Sequence, residues 1–216
     1  NTTTVSYCDI EGGVSGIFNT NGSAVITNGI NIDQDPMFVG GPSGTWVSDA
    51  SFNPTNFQSS LTDTNALWTP GELAGKFVQP NTNQFNQYLI VSNTSASLII
   101  WGDFSTNALS GKTYQIHDYH LKSVAGHWET GIKTWTNDTV SSLCIDAGDP
   151  ASVYTNEPAP NGGRINMGAH GNAPEASKSP FSIVNQPPAG ITINSATLNG
   201  NLYPTHGLGP VAQYMD

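Results

Sequence analysis

Hydrophobic and polar positions alternate with a period of two along much of this chain, the spacing at which successive side chains leave opposite faces of a strand. No stretch shows the spacing of a long amphipathic helix. Near the N-terminus, Val5-Ser6-Tyr7-Cys8-Asp9-Ile10-Glu11 runs into Gly12-Gly13. Alternation puts Cys8 and Ile10 on one face and Tyr7, Asp9 and Glu11 on the other, with Val5 out of phase, and Gly12 and Gly13 supply a tight turn. Residues 24–39 carry Asn-Gly turns and end in a polar corner, Asn31-Ile32-Asp33-Gln34-Asp35-Pro36, leading into the short apolar strand Met37-Phe38-Val39.

Residues 61–117 have a different texture. Strand-like runs at 75–78, 85–92, 96–101 and 113–117, separated by Asn-, Pro- and Gly-rich turns, predict a small inserted antiparallel β module. From Asp118 the first pattern resumes and continues through Cys144-Ile145-Asp146-Ala147-Gly148-Asp149-Pro150 to a Pro- and Gly-rich loop that closes on residues 161–171. A Pro-bearing linker near residues 179–190 precedes a tail with two strands around Pro204-Thr205-His206-Gly207. The expected organisation is rungs over 1–60, the module over 61–117, a closing region over 118–180, and a linker and tail over 181–216.

Composition narrows the function classes. Only 10% of the 216 residues are charged, Gly numbers 23 and Pro 14, and the rest is rich in Asn, Thr and Ser, as expected of a secreted β protein. The net charge is -10, and the six basic residues, Lys76, Lys112, Lys122, Lys133, Arg164 and Lys178, are scattered. Nucleic acid and anionic membrane need concentrated positive charge, and a spanning helix needs a long apolar run, so neither partner nor membrane insertion is expected. The lack of a leading Met and of a signal-like run reads as a mature or excised piece. Cys8 and Cys144 lack the paired spacing of a zinc or redox site and are open to two readings, buried free thiols or a disulfide. Four Asn-x-Ser/Thr patterns, at Asn1, Asn21, Asn93 and Asn137, arise readily in such a composition and establish no glycosylation.

Taken together, Tyr7 to Gly13, Asn31-Ile32-Asp33 to Phe38, Asp118-Tyr119-His120-Leu121-Lys122-Ser123, Cys144 to Pro150 and Gly163-Arg164-Ile165-Asn166-Met167-Gly168-Ala169 resemble the C-terminal region of secreted bacterial right-handed parallel β-helix proteins. Such regions occur in large surface proteins of planctomycete-like bacteria. The resemblance covers about residues 1–60 and 118–177 and bears on fold rather than activity. The tail, with Ala196-Thr197-Leu198-Asn199-Gly200, is similar to the opening strands of a fibronectin type III sandwich, which needs about 100 residues to complete. The resemblance therefore implies an all-β chain: the end of a right-handed parallel β-helix, an inserted antiparallel module and a strand-forming tail.

Enzymes on that fold are mostly polysaccharide lyases and hydrolases. A lyase acting on polyuronate needs cations at the substrate carboxylate, and scattered basic residues do not supply them. A glycosidase needs two carboxylates, one with a raised pKa; Asp9 with Glu11 on one strand face is the leading pair, and Asp33 with Asp35 a second. Acids beside Gly or Pro also bond backbone amides at corners, which is the more ordinary role. Asp33, Asp35, Asp146 and Asp149 are weak candidates for a bound calcium, although no dedicated calcium loop is present. His117 and His120 attract a metal reading without a matching ligand set. The five tryptophans, Trp46, Trp68, Trp101, Trp128 and Trp135, either fill interfaces or stack sugars.

Arg164 is expected to pair with Asp146 or Glu157 and fasten the closing loop, with Cys8, Cys144, Gly12, Gly13 and Gly148 as further structural positions. A chain that begins in a rung and ends in an unfinished sandwich presents open strand edges, with Ile191, Ile193, Leu198 and Leu202 as the apolar positions for assembly. The expected function is a structural or adhesive module of an extracellular or cell-surface protein, without catalysis or an obligatory cofactor. Its expected partners are copies of itself or adjoining domains of a longer protein, and strand addition would build a filament or sheet. Carbohydrate binding or cleavage is the alternative.

Overall fold

The computed structural model describes residues 2–18, 24–27, 29–189 and 197–204. The chain divides into two compact units. The first holds residues 1–37, 121–127 and 137–216; the second holds 38–120 and 128–136.

In the first unit, β1 (Thr2–Val5) pairs in parallel with β2 (Ala24–Thr27), Thr2 opposite Ala24, and Asp9 forms a single parallel bridge with Ile32. Gly12 and Gly13, at φ of 78° and 60°, turn the chain into a short 3₁₀ turn at Gly13–Gly16. Beyond this the unit is built from turns tied by isolated backbone bonds: Ile32 N–H to the Cys8 carbonyl, Lys122 to Met37, Ser142 to Lys122 and Met167 to Cys144, all 2.8–2.9 Å.

The second unit is organised by one sheet. Its strands are β3 (Ser43–Thr45), β4 (Ser51–Asn53), β5 (Gln58–Thr62), β6 (Phe77–Gln79), β7 (Tyr88–Asn93), β8 (Ser97–Trp101) and β9 (Thr113–His117). They lie in the order β3-β9-β6-β7-β8-β5-β4, every pairing antiparallel, and the sheet curls into a half-barrel. A hairpin, β10 (His127–Glu129) with β11 (Thr134–Thr136), follows. At the C-terminus β12 (Phe181–Ala189) and β13 (Thr197–Pro204) pair antiparallel.

The chain is thus all-β, but the right-handed parallel β-helix expected over 1–60 and 118–180 is not what it forms. Among the described residues, parallel pairing is confined to β1–β2 and the Asp9–Ile32 bridge, and the dominant sheet is antiparallel throughout. The reason is physical: period-two alternation fixes which residues share a face but not the direction of the neighbouring strand. Residues 43–60, expected among the rungs, instead supply β3, β4 and the start of β5 to the sheet. The tail does form a strand, whose antiparallel partner, β12, covers the segment read as a linker; residues 205–216, with the Thr205-His206-Gly207 turn, lie outside the described residues. No helix among the described residues is long and apolar enough to cross a membrane.

One face of the seven-stranded sheet is dry. Leu61, Val78, Ile90, Leu98, Ile100, Tyr114 and Ile116 point inward with almost no exposure, and Trp46, Trp68, Leu73 and Phe104 cover them. Trp46 stacks on Tyr114 with ring centroids 4.0 Å apart and donates Nε1–H to the Pro80 carbonyl at 2.8 Å. The Tyr114 hydroxyl donates to Asp63 Oδ2 at 2.8 Å, so neither polar tip is left unsatisfied in the core.

A buried charge cluster ties the hairpin to this sheet. Lys76 Nζ lies 2.8 Å from Glu129 Oε2 and 3.2 Å from Asp118 Oδ2, while His120 Nδ1 meets Asp118 Oδ1 at 2.6 Å. Burial pulls the Lys76 ammonium down, but the hydrogen bond to Glu129 and the charge of Asp118 outweigh it and leave its pKa above the ordinary lysine value. Burial likewise pushes Asp118 up, and its bonds from His120, with the charges of His120 and Lys76, hold it below the usual carboxylate range. The tip of the hairpin packs tightly: a Cβ on Gly131 would stand 2.3 Å from the Gly71 and Glu72 carbonyls.

Two outcomes follow. Leu98→Ala, on the dry face, is expected to lower unfolding free energy by about 2–5 kcal/mol, the range for a buried leucine that leaves a cavity, as read from urea unfolding. The depressed Asp118 contributes stability that is present above its unfolded value of about 3.9 and is lost as pH falls through its folded pKa. Lys76→Ala removes its cation, costs about 3–5 kcal/mol and moves the acid-unfolding midpoint to higher pH in a circular-dichroism titration.

Candidate functional site

The outer face of the sheet is set by the same registers that bury the inner one. Trp101 on β8 lies opposite Gln58 on β5, and Gln58 lies opposite Asn53 on β4, so these three side chains share the outer face. The next row is Ile99, Ser60 and Ser51. The third is Ser97 with Thr62, whose hydroxyls lie 3.3 Å apart. Trp101 is 55% exposed. The strands β4, β5 and β8 contain no charged residue, so this edge of the sheet presents an indole among amides and hydroxyls. Asp103, just past β8, has its carboxylate engaged by the Ser105 hydroxyl at 2.7 Å, which holds it below the usual range.

The other tryptophans fall into two groups. Trp46 and Trp68 are core residues, whereas Trp128 and Trp135 pack edge-on at 5.2 Å on the β10–β11 hairpin, both half-buried. His117 does not join His120. It projects from the outer face, donates Nε2–H to Gln79 Oε1 at 3.2 Å and stacks on Tyr119, and burial lowers its pKa. His120 lies on the inner side, against Asp118.

In the first unit, the acids named from sequence are dispersed among turns. Asp9 accepts from Gln34 N–H at 3.1 Å and from the Cys144 thiol at 3.2 Å, while Glu11 is exposed. Asp33 accepts from Gly12 N–H, Asp35 from Met37 N–H and Asp149 from Ala151 N–H, each at 2.8–3.0 Å. Cys8 is exposed and Cys144 buried, both as free thiols. Burial first, and then the hydrogen bond to Asp9, push the Cys144 thiol up to about 12.

Asp146 is different. It holds a left-handed backbone at φ 55°, its N–H donates to Asn166 Oδ1 at 2.8 Å, and its Oδ1 accepts from the Ser179 hydroxyl at 2.7 Å. Burial, followed by the nearby charge of Glu157, raises its pKa to about 6. Glu157, only 4% exposed, accepts two backbone N–H bonds on Oε1, from Asn166 at 2.9 Å and Asn172 at 2.8 Å, and burial raises its pKa too. Arg164 reaches the loop by donating to the Gly148 and Ala147 carbonyls, at 2.5 and 3.0 Å, and lies over the Tyr7 ring at 5.5 Å. Gly148 is held by its own N–H to the Ile165 carbonyl.

Sequence reasoning named Asp146 and Glu157 as alternative partners for Arg164, whose printed hydrogen bonds instead go to the Gly148 and Ala147 carbonyls. Trp101 was in view as one of five tryptophans, yet only the register separates it from the core ones. Ile191 and Ile193 lie outside the described residues, while Leu198 and Leu202 lie on β13, with Leu202 opposite Ile183. Among the described residues no group of three or more His, Cys, Asp or Glu is gathered to hold a metal ion.

A family model described as disaggregatase related matches residues 106–148, about a fifth of the chain. That segment carries β9, Asp118, His120, the β10–β11 hairpin and Asp146. Three curated relatives match over much less. A glycosyl hydrolase family 109 protein of Shewanella amazonensis (strain ATCC BAA-1098 / SB2B) is 86% identical over 21 residues, 10% of this chain and 5% of its own length. Glycosyl hydrolase family 109 protein 2 of Shewanella sp. (strain ANA-3), and its counterpart in strain MR-4, are each 76% identical over 25 residues, 12% of this chain and 6% of their own. No solved structure matches. The family match relates residues 106–148 alone to disaggregatase-related proteins, and the chain spans about a twentieth of the length of the curated relatives it matches.

Proposed function

We propose that the chain is a structural, adhesive module of an extracellular protein, and that it attaches to neutral polysaccharide through the outer face of β4, β5 and β8. The observation that carries this reading is the exposed Trp101 in an uncharged row with Gln58 and Asn53. An indole face offers apolar area to the C–H side of a sugar ring, and flanking amides and hydroxyls match its equatorial hydroxyls as donors and acceptors. A protein partner of ordinary size would need a wider apolar centre than one tryptophan provides. An acidic polysaccharide would need cations, and β4, β5 and β8 carry none.

The same strands hold no acid or base, so the face binds without cleaving. Contact is placed on the face rather than the sheet edges because β3 and β4, the edge strands, are three residues long and offer little backbone for strand addition. The glycosyl hydrolase names of the short relatives lend modest support to a carbohydrate ligand.

Affinity electrophoresis of the full chain through galactomannan, hydroxyethylcellulose and polygalacturonate tests the reading. Retardation by at least one neutral polymer and none by polygalacturonate is expected. Trp101→Ala should weaken retardation about tenfold, the equivalent of ~1.4 kcal/mol, with unchanged circular dichroism. Free migration through both neutral polymers, or retardation indifferent to Trp101→Ala, would overturn it.

A further inference from the structure

The row that contains Trp101 does not stop at β8. On β7, Ile90 lies opposite Ile100 of β8, so one step along each strand Leu89 takes the outer position beside Trp101. Leu89 lies opposite Phe77 on β6, and Phe77 lies opposite His117 on β9. A single outer row therefore runs from His117 through Phe77, Leu89 and Trp101 to Gln58 and Asn53, crossing β9, β6, β7, β8, β5 and β4. Five inter-strand steps of about 4.8 Å make it roughly 24 Å long.

The row changes character along its length. Leu89, at 47% exposed, continues the apolar surface of Trp101. Beyond it Phe77 is half-buried, with its ring centroid 5.9 Å from that of Tyr119, and Tyr119 lies within 6° of parallel to the His117 imidazole. Both rings of that stack are tethered, His117 through Gln79 and the Tyr119 hydroxyl by donating to Gln87 Oε1 at 2.5 Å. Side chains already held in place lose little freedom when a ligand covers them. Strands β3 to β9 contain no Asp, Glu, Lys or Arg, in a chain whose net charge is -10. Burial keeps the imidazole of His117 uncharged at neutral pH.

An uncharged strip one side chain wide and several long matches a linear neutral chain. A stable protein partner would instead cover about 800 Å² on this side, around a broad apolar centre. Sugar rings in sequence present C–H faces to apolar and aromatic side chains, and hydroxyls to the amides at the far end of the row. We propose that this row is one extended site for a linear neutral polysaccharide lying across the strands, in which Leu89, Phe77 and the His117–Tyr119 stack hold rings beyond the one on Trp101. The proposal rests on the neutral-polysaccharide reading of the Trp101 face, and adds that the ligand is a chain held over several rings.

Affinity electrophoresis of the full chain in galactomannan and in hydroxyethylcellulose, with mannose- or cellulose-derived oligosaccharides as competitors, tests the row. The hexasaccharide matching the retarding polymer is expected to release the chain at a concentration at least about tenfold below that of the disaccharide. Leu89→Ala and His117→Ala should each remove most of that advantage with unchanged circular dichroism. Leu67→Ala, an exposed leucine outside the strands, should leave it intact. A hexasaccharide no better than the disaccharide, an advantage that survives both Leu89→Ala and His117→Ala, or an equal loss in Leu67→Ala overturns the extended row while retardation that depends on Trp101 still stands. Free migration of the unsubstituted chain through both polymers overturns the row and the Trp101 reading together.

Discussion

Everything in the second unit depends on keeping one face of a seven-stranded antiparallel sheet out of water. Burying Leu61, Leu98, Ile100, Tyr114 and Ile116 fixes the register of β5, β8 and β9, because a slip of one residue would exchange the two faces of a strand. That constraint releases the alternate positions from packing. Trp101, Gln58, Ser60 and Thr62 are therefore aligned across strands without having to fill space, which is how a surface row acquires order. The rigidity of a binding face on such a sheet is a by-product of the core beneath it.

The polar groups admitted to the interior are handled in two ways. In the second unit, Lys76 meets two acids, and His120 completes Asp118; the hairpin is fastened by this cluster and by the close backbone approach at Gly131. Such a cluster adds little net stability relative to a well-packed apolar substitute, but breaking it strands a buried charge, so it specifies where the hairpin docks. In the first unit, Asp146 is held by the Ser179 hydroxyl and Glu157 Oε1 by two backbone N–H groups, while the Arg164 donors serve carbonyls. Glu157 Oε2 meets no hydrogen-bond donor among the described residues.

Strand positions in the 75–117 region were legible because β-branched and aromatic residues alternate there between strong turn signals: β8 and β9 fall within the predicted runs, and β6 and β7 each extend one residue beyond theirs. The parallel direction expected over residues 1–60 and 118–180 was misread, since alternation is identical in parallel and antiparallel ladders. Ser43–Thr45, Ser51–Asn53 and Gln58–Thr62 were illegible for another reason: they are mostly Ser, Thr, Gly, Asn and Gln, and become strands through pairing with β8 and β9 rather than through propensity. The Pro187-Pro188 pair gave Phe181–Ala189 the look of a linker, although an open-edged two-stranded hairpin tolerates proline where no ladder bond is required. Of the candidate sites, the composition of the Trp101 row was readable but its alignment was not. The approach of the Asp146 carboxylate to the Gly162 backbone depends on a left-handed aspartate and a closed loop that no spacing rule encodes.

The disaggregatase-related likeness, residues 106–148, sharpens this division. It takes in β9, the Asp118–His120 edge of the charge cluster, the docked hairpin and Asp146, yet leaves out Trp101, Gln58, Glu157 and Asn161. Within this chain the matched segment carries a core strand, the acid that anchors Lys76 and the hairpin fixed by Glu129. Of the groups that would meet a sugar, Trp101 and Gln58 lie N-terminal to it. One fold can serve different ligands through the groups its surface carries, so a match over residues 106–148 names no ligand, and the sugar must be argued from Trp101 and Gln58 themselves.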